Sequence, residues 1–525
     1  MMKENAKSDN ILGSAAFLAI TAIFSKFIGL LYKIPMAHIL SDEGMGYFNA
    51  AYTIYSLLYL LGTAGVPKAI TVLISGCETR EEEKKKIFFV AIRLFFWIGL
   101  SLFILLFVFA TPISNQIGSP GAAPAILLIS PCLLLVSLGG VYRGYLNAVG
   151  DFSAIAIASM IEACGKLVFG LLLIFIGRTL LLPLPWVCAM SVLGIGIGVL
   201  ISSVYLRLNI KIKKKNEKTK QIIGIKSESR DLSLKIMRIA LPITLGSVAA
   251  GISSVVDLSM IMKRLEFGGL SAEEATAVYG NYTTLVVPML QLASAVLSPI
   301  AVVLLPRFAS SMAGNKLDGF RSDFRFGCQI SAFISMPLAC IFFFFPQKLL
   351  SMLFPAASAA VAAPLLRLLS PSVVILSILL ILNTVLEASK RAGLQMFSML
   401  ISIFVKIPIG YCLLGISRYG IAGAPIGTVC GYAASLIFSL LCCYKHKRIY
   451  MTVLKSYLLP TFNSVASVVF VFLISRYLLN ASDTFFGKFF VFLIFGVFYI
   501  LLSYFTGVLQ IGKIIKMAHR TKKTA

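Results

Sequence analysis

"FSKFIGLLYKIP", residues Phe24 to Pro35, lies in the first long apolar stretch of the chain yet keeps two ammonium groups, Lys26 and Lys33. Seven residues apart, the two fall on one helical face. A single lysine near a helix end can snorkel to the interface. Two on one stripe, with Ser25 and Gly29 beside them, point to a polar surface that meets an anion. The nearest acids are Asp42 and Glu43, beyond the end of that first span.

The rest of the 525 residues fits a membrane setting: 58% are hydrophobic and only 13% charged, with a mean hydropathy of +0.93. A soluble protein carries about 45–50% apolar and about 25% charged residues. Apolar runs are long and strand-type alternation is absent, so the class is all-α and polytopic rather than a β-barrel. The polar start "MMKENAKSDN" and the length of the stretch after it do not fit a cleavable signal peptide.

Forty-seven basic residues against 21 acidic give a net charge of +26. The excess sits in short loops between apolar segments, as the positive-inside rule expects. That argues against nucleic acid as a partner and leaves contact with anionic membrane lipid. The ten cysteines are scattered without a CxxC pair, and the three histidines lie far apart, so no metal site is expected. No GxxxxGK[ST] loop occurs, hence no ATP site and no expected cofactor. "GIGIG" (Gly194–Gly198) reads as a close-packing helix surface and not as a dinucleotide loop.

Apolar windows of about 20 residues predict fourteen transmembrane helices. These fall near 11–40, 46–76, 85–112, 122–148, 152–177, 183–207, 232–263, 275–306, 322–346, 357–388, 393–415, 421–443, 452–478 and 486–508. Basic loops at Arg80–Lys86, Arg207–Arg230, Arg307–Arg325, Lys390–Arg391, Lys445–Arg448 and from Lys513 onward place both termini in the cytoplasm. Tyr47, Asn49 and Pro67 recur as Tyr279, Asn281 and Pro299; Ser130-Pro131, Ala148, Lys166 and Gly170 recur as Ser370-Pro371, Ala388, Lys406 and Gly410. Each set keeps a constant offset, which implies two six-helix lobes related by a parallel repeat. The expected division is an N-lobe at 1–208, a basic linker at 209–230, a C-lobe at 231–445, two further helices at 446–510 and a basic tail at 511–525.

An ionisable group at the bilayer centre costs about 2.5–3.5 kcal/mol on insertion scales, so it is functional or paired. The candidates are Lys26, Lys33, Lys68, Arg93, Arg143, Glu162 and Lys166, then Asp257, Arg367, Glu387 and Lys406. Glu162 and Lys166, at i and i+4, are expected to satisfy each other. Arg367 and Lys406 are expected to pair with Asp257 or Glu387 across helices. Lys68 and Arg143 divide between snorkelling and a cavity role. The tyrosines of "YTIYSLLYL" (Tyr52–Leu60) read as interfacial belt or core rather than a sugar platform. A cationic chamber suits phosphate or diphosphate, which lysine binds as a point charge.

Three stretches carry a family resemblance. "SKFIGLLYKIPMAHILSDEGMGYFNAAYTIYSLLYLLGTAGVPKAI", "YRGYLNAVGDFSAIAIASMIEACGK" and the segment from "VVDLSMIMKRL" to "VVLLPRFAS" resemble flippases of the multidrug/oligosaccharidyl-lipid/polysaccharide (MOP) exporter superfamily. The nearest branch holds stage V sporulation protein B and the MurJ-type lipid II flippases. The resemblance implies a non-enzymatic, fourteen-helix protein of the cytoplasmic membrane that moves undecaprenyl-diphosphate-linked saccharide between leaflets by alternating access. Peptidoglycan, spore cortex or polysaccharide synthesis would be its setting, with cell-wall synthesis proteins as partners of a monomer. Membrane potential or a cation gradient would drive it. The family's helix 1 motif, Ser-Arg-x-x-Gly followed by a second Arg, stands here as Ser25-Lys26-x-x-Gly29 with Lys33, one residue later than the pattern. The carry-over makes Lys26 and Lys33 the expected diphosphate contacts; the charge pattern adds Arg143, with Lys68 secondary, and leaves Glu162, Lys166, Asp257, Glu387 and Lys406 for ion coupling or structural pairing. The loss of arginine's bidentate grip departs from the family. Two rival readings are a cation-coupled multidrug exporter of the same superfamily and a non-transporting membrane scaffold.

Overall fold

The computed structural model describes residues 2–75, 81–215, 228–314, 317–389, 391–443, 449–477 and 485–508. Most of the basic linker, Lys390, Lys445–Arg448 and the basic tail lie outside the described residues. The described chain is all helical, and it falls into two compact units, residues 1–284 and 285–525.

The first unit holds α1 (Met2–Thr63), α2 (Val66–Ser75), α3 (Glu81–Val108), α4 (Ala110–Gln116), α5 (Ala123–Ile129), α6 (Cys132–Ala148), α7 (Phe152–Thr179), α8 (Leu184–Lys215), α9 (Glu228–Phe267) and α10 (Ala272–Asn281). The second holds α11 (Val287–Ala313), α12 (Leu317–Phe344), α13 (Pro346–Leu353), α14 (Ala356–Leu369), α15 (Pro371–Ala388), α16 (Ala392–Leu414), α17 (Gly423–Cys442), α18 (Ile449–Tyr477) and α19 (Phe485–Phe505). A π-turn, Tyr282–Val286, joins α10 to α11.

Among the described residues, eleven helices are long and apolar enough to cross a membrane, or twelve if the bent pair Pro120–Ile129 and Cys132–Ala148 forms one span. Two of the fourteen expected spans are not counted separately there. Residues 11–40 and 46–76 fall largely within one apolar stretch, Phe24–Ser75, whose 52 residues are too many for a single span; a kink at Ser41 (φ 64, ψ 171), between the two expected spans, divides it into two helices. That φ lies in the left-handed region, which a non-glycine residue occupies only under strain. Helix α9 is not among the eleven, although its residues 239–256 carry no Asp, Glu, Lys or Arg.

The first unit extends past the linker because α9 and α10 close onto α1 and α2 through glycine. A Cβ on Gly65 would sit 2.1 Å from the carbonyl oxygen of Ala240, one on Gly46 2.2 Å from that of Thr276, and one on Gly280 2.1 Å from that of Asp42. Backbones that close exclude any side chain, so these contacts are fixed by sequence. Polar bonds run alongside: Asn281 Nδ2 donates to Asp42 Oδ2 at 3.2 Å, and Asn49 Nδ2 to Thr284 Oγ1 at 2.7 Å.

"GIGIG" packs as read. Within α8, Gly194 lies against Gly170 of α7 and Gly198 against Gly165, leaving no room for a methyl group. The second unit repeats the device on its own residues, where Gly427 and Gly431 of α17 press on Gly410, Lys406 and Ser402 of α16. Ser130-Pro131 separates α5 from α6, and Ser370-Pro371 separates α14 from α15.

Candidate functional site

Within the first unit, α1, α6, α7 and α8 line an open-sided cavity of about 340 Å³. Three of its walls carry chemistry. Helix α6 supplies Arg143, α7 supplies Ser159, Glu162 and Lys166, and α1 supplies Ser25, Ser56 and the tyrosines 52, 55 and 59.

Arg143 Nη2 donates to Glu162 Oε2 at 2.5 Å, a charge-assisted bond between half-buried groups. Its Nε is buried and makes no hydrogen bond. The expected pairing of Glu162 with Lys166 is therefore corrected: the acid turns to α6, where the planar guanidinium meets it across the helix interface. Lys166 turns the other way. Its Nζ stands 5.3 Å from the ring centroid of Tyr32 and 4.8 Å from that of Tyr52, with no carboxylate of the described residues at ion-pair distance. Two aromatic faces stabilise an ammonium while leaving its charge uncompensated.

The aromatic frame is itself braced. Tyr32 donates its hydroxyl to the carbonyl of Ser191 at 2.9 Å, and its ring presses on Gly170, where a Cβ would come within 2.5 Å. Tyr52 stacks on Phe48 at 5.9 Å and 11°, and Tyr55 and Tyr59 continue the row at centroid spacings of 6.1 and 5.8 Å. Ser25, Ser56 and Ser159 donate to carbonyls of their own helices at 2.8, 2.8 and 3.0 Å. Hydroxyls held so keep lone pairs for a ligand's donors.

The two lysines of the first span have different surroundings. Lys26 is exposed and does not line the cavity, although its neighbours Ser25 and Gly29 do. Lys33 is half-buried and donates to Asn49 Oδ1 at 3.1 Å and to the carbonyl of Thr283 at 3.3 Å. Lys68 and Arg93 are exposed, and Asp257 is half-buried in α9. In the second unit Glu387 is exposed and Lys406 half-buried. Arg367, expected to meet an acid, donates instead through Nε to the carbonyl of Phe343 at 2.9 Å, because α14 brings it to the end of α12, where carbonyls lack helical partners. The structure thus brings together Arg143, Glu162 and Lys166, and adds to them the tyrosine row, expected in belt or core. The spacing of Phe48, Tyr52, Tyr55 and Tyr59 marks one helical face.

Residues 11–312 match the family model described as polysaccharide biosynthesis protein, and residues 268–412 match that of MatE. Stage V sporulation protein B of Bacillus subtilis is 24% identical over 81% of this chain and 82% of its own. The lipid II flippase MurJ of the same organism is 19% identical over 84% of this chain and 83% of its own. Among solved structures, the lipid II flippase MurJ in an inward closed conformation superposes with a TM-score of 0.69 at 19% identity, over 93% of this chain and 98% of that one. An inward-facing multidrug resistance MATE transporter superposes with a TM-score of 0.63 at 15% identity, over 84% and 98%. A match over more than half of the chain, joined to an all-helical MurJ- and MATE-like fold, shows that the protein belongs to the polysaccharide biosynthesis protein family, within the MOP superfamily of flippases.

Proposed function

We propose that this chain flips a polyprenyl-diphosphate-linked saccharide across the membrane, with the first-unit cavity receiving the charged head. The observation that carries the reading is the ammonium of Lys166, presented to the cavity by two tyrosine rings and without a carboxylate partner. Glu162 is matched by Arg143, so the cavity keeps a net positive charge. A diphosphate can displace Glu162 from one guanidinium edge while Lys166 meets it as a point charge. The serine hydroxyls and tyrosines offer acceptors and apolar faces of the sort a saccharide uses. Membrane potential or a cation gradient would return the empty carrier.

A multidrug exporter for cationic compounds needs an acid free to meet its cargo, and the carboxylate lining this cavity is already engaged by arginine.

The test reconstitutes the purified protein in vesicles loaded with an undecaprenyl-diphosphate saccharide and follows its appearance in the opposite leaflet. Wild type should accelerate transfer over protein-free vesicles. Lys166→Met should lower the rate about tenfold, the scale of one charge-assisted contact of ~1.5 kcal/mol, and Lys166→Arg should restore part of it. No acceleration by wild type, or equal rates for Lys166→Met, overturns the reading.

A further inference from the structure

Three cations of the second unit converge on the short helix α13. At its N-terminal side, Arg367 Nε donates to the carbonyl of Phe343, the penultimate residue of α12, at 2.9 Å. At its C-terminal side, Lys488 Nζ of α19 donates to Ser351 Oγ at 2.9 Å. Between them Lys348 is exposed, its Nζ 5.9 Å from the ring centroid of Phe345. The eight residues of α13 measure about 12 Å, so the three groups share one small rim.

That rim lies at the ends of membrane spans. Asp318–Phe344 ends just before Lys348, Pro371–Ala388 begins just after Arg367, and Phe485–Phe505 begins just before Lys488. Cations and aromatic rings at such a depth occupy the headgroup layer. Phe343, Phe344, Phe485, Phe486, Phe489 and Phe490 are all exposed around it.

Among the described residues, no acid is at ion-pair distance from Arg367, Lys348 or Lys488; Asp318 and Asp323 of α12 pair with Arg321 and Arg307. Residues 324–386 contain no Asp or Glu, and neither does the chain after Asp483, which lies outside the described residues. Each cation also keeps donors to spare: Arg367 uses only Nε and leaves both terminal nitrogens, and Lys488 spends one proton on serine.

We propose that the α13 rim is a binding site for the phosphate of an anionic phospholipid, with Arg367 and Lys488 as two arms of a clamp and Lys348 closing it. The exposed phenylalanines flank the acyl chains below the phosphate. The occupant is a bilayer lipid rather than free phosphate, because the donors sit at the level where headgroups end and apolar rings begin. The site lies in the second unit and does not depend on the transport reading.

The test measures retention of phosphatidylglycerol against phosphatidylcholine by the detergent-purified full chain, using native mass spectrometry across a lipid titration. Wild type should retain phosphatidylglycerol preferentially. Lys348→Gln/Lys488→Gln should weaken it about thirtyfold, for two charges at the strength usual near an anionic surface, with phosphatidylcholine unchanged. Lys348→Arg/Lys488→Arg keeps the charge and should keep the lipid. Arg367 is left in place because it also serves the end of α12. Equal retention of both lipids by wild type, or undiminished phosphatidylglycerol binding in the glutamine variant, overturns the proposal. So does full displacement of the lipid by millimolar inorganic phosphate.

Discussion

Arg143 and Lys166 carry the same formal charge in one cavity and have opposite uses for it. Arg143 is committed to Glu162 at 2.5 Å, whereas Lys166 is held only by ring faces. Removing one partner of a partly buried ion pair strands the other, at a cost of about 3–5 kcal/mol when burial is complete and less here. Arg143→Met should therefore lower the melting temperature in detergent more than Arg143→Met/Glu162→Met does; equal losses would show that the pair contributes nothing to the fold. Lys166→Met should leave the melting temperature nearly unchanged while slowing flipping, which separates the two roles. The sequence displayed all three charges, but the i, i+4 spacing of Glu162 and Lys166 pointed to a local pair. Only the placement of α6 shows that a guanidinium from another helix outcompetes it. The tyrosine row was equally visible as a stripe, and a stripe serves core, lipid or cavity alike until its neighbours are known.

At the scale of the element, small residues decide which helices touch. Gly280 admits α10 to within 2.1 Å of the Asp42 carbonyl, measured from where a Cβ would stand, while Gly29 has nothing within 4 Å. Gly280→Ala should destabilise the protein and displace α10, whereas Gly29→Ala should be tolerated and gain up to about 1 kcal/mol of helix propensity. Thermal melting of both variants in detergent, with cysteine accessibility along α10, checks this. A neutral Gly280→Ala would refute the close approach. "GIGIG" was legible because a 3.6-residue period puts Gly194 and Gly198 on one face. The break between the first two expected spans falls at Ser41, although it rests on a backbone angle that no glycine or proline announces.

For the whole molecule, the sequence supplied the class and the family, because hydropathy and signature stretches survive where individual contacts drift. It did not supply the boundary between compact units, which falls at Thr284 rather than in the basic linker, since packing onto α1 counts for more than charge. The orientation remains a prediction drawn from charge: a fluorescent protein fused after Ala525 should fluoresce, and alkaline phosphatase fused there should be inactive. The reverse pattern would invert the assignment of every loop.

The π-turn at Tyr282–Val286 closes its hydrogen bonds one residue later than an α-turn would. It therefore stores one residue of slack in an otherwise continuous rod. Deleting a single amino acid there would let the ladder re-form as ordinary helix without turning α11, because the wider turn already absorbs the extra residue. The same deletion within α11 itself would turn every later side chain by about 100°, so the turn is the one stretch of this helix where the chain can lose a residue and keep its face.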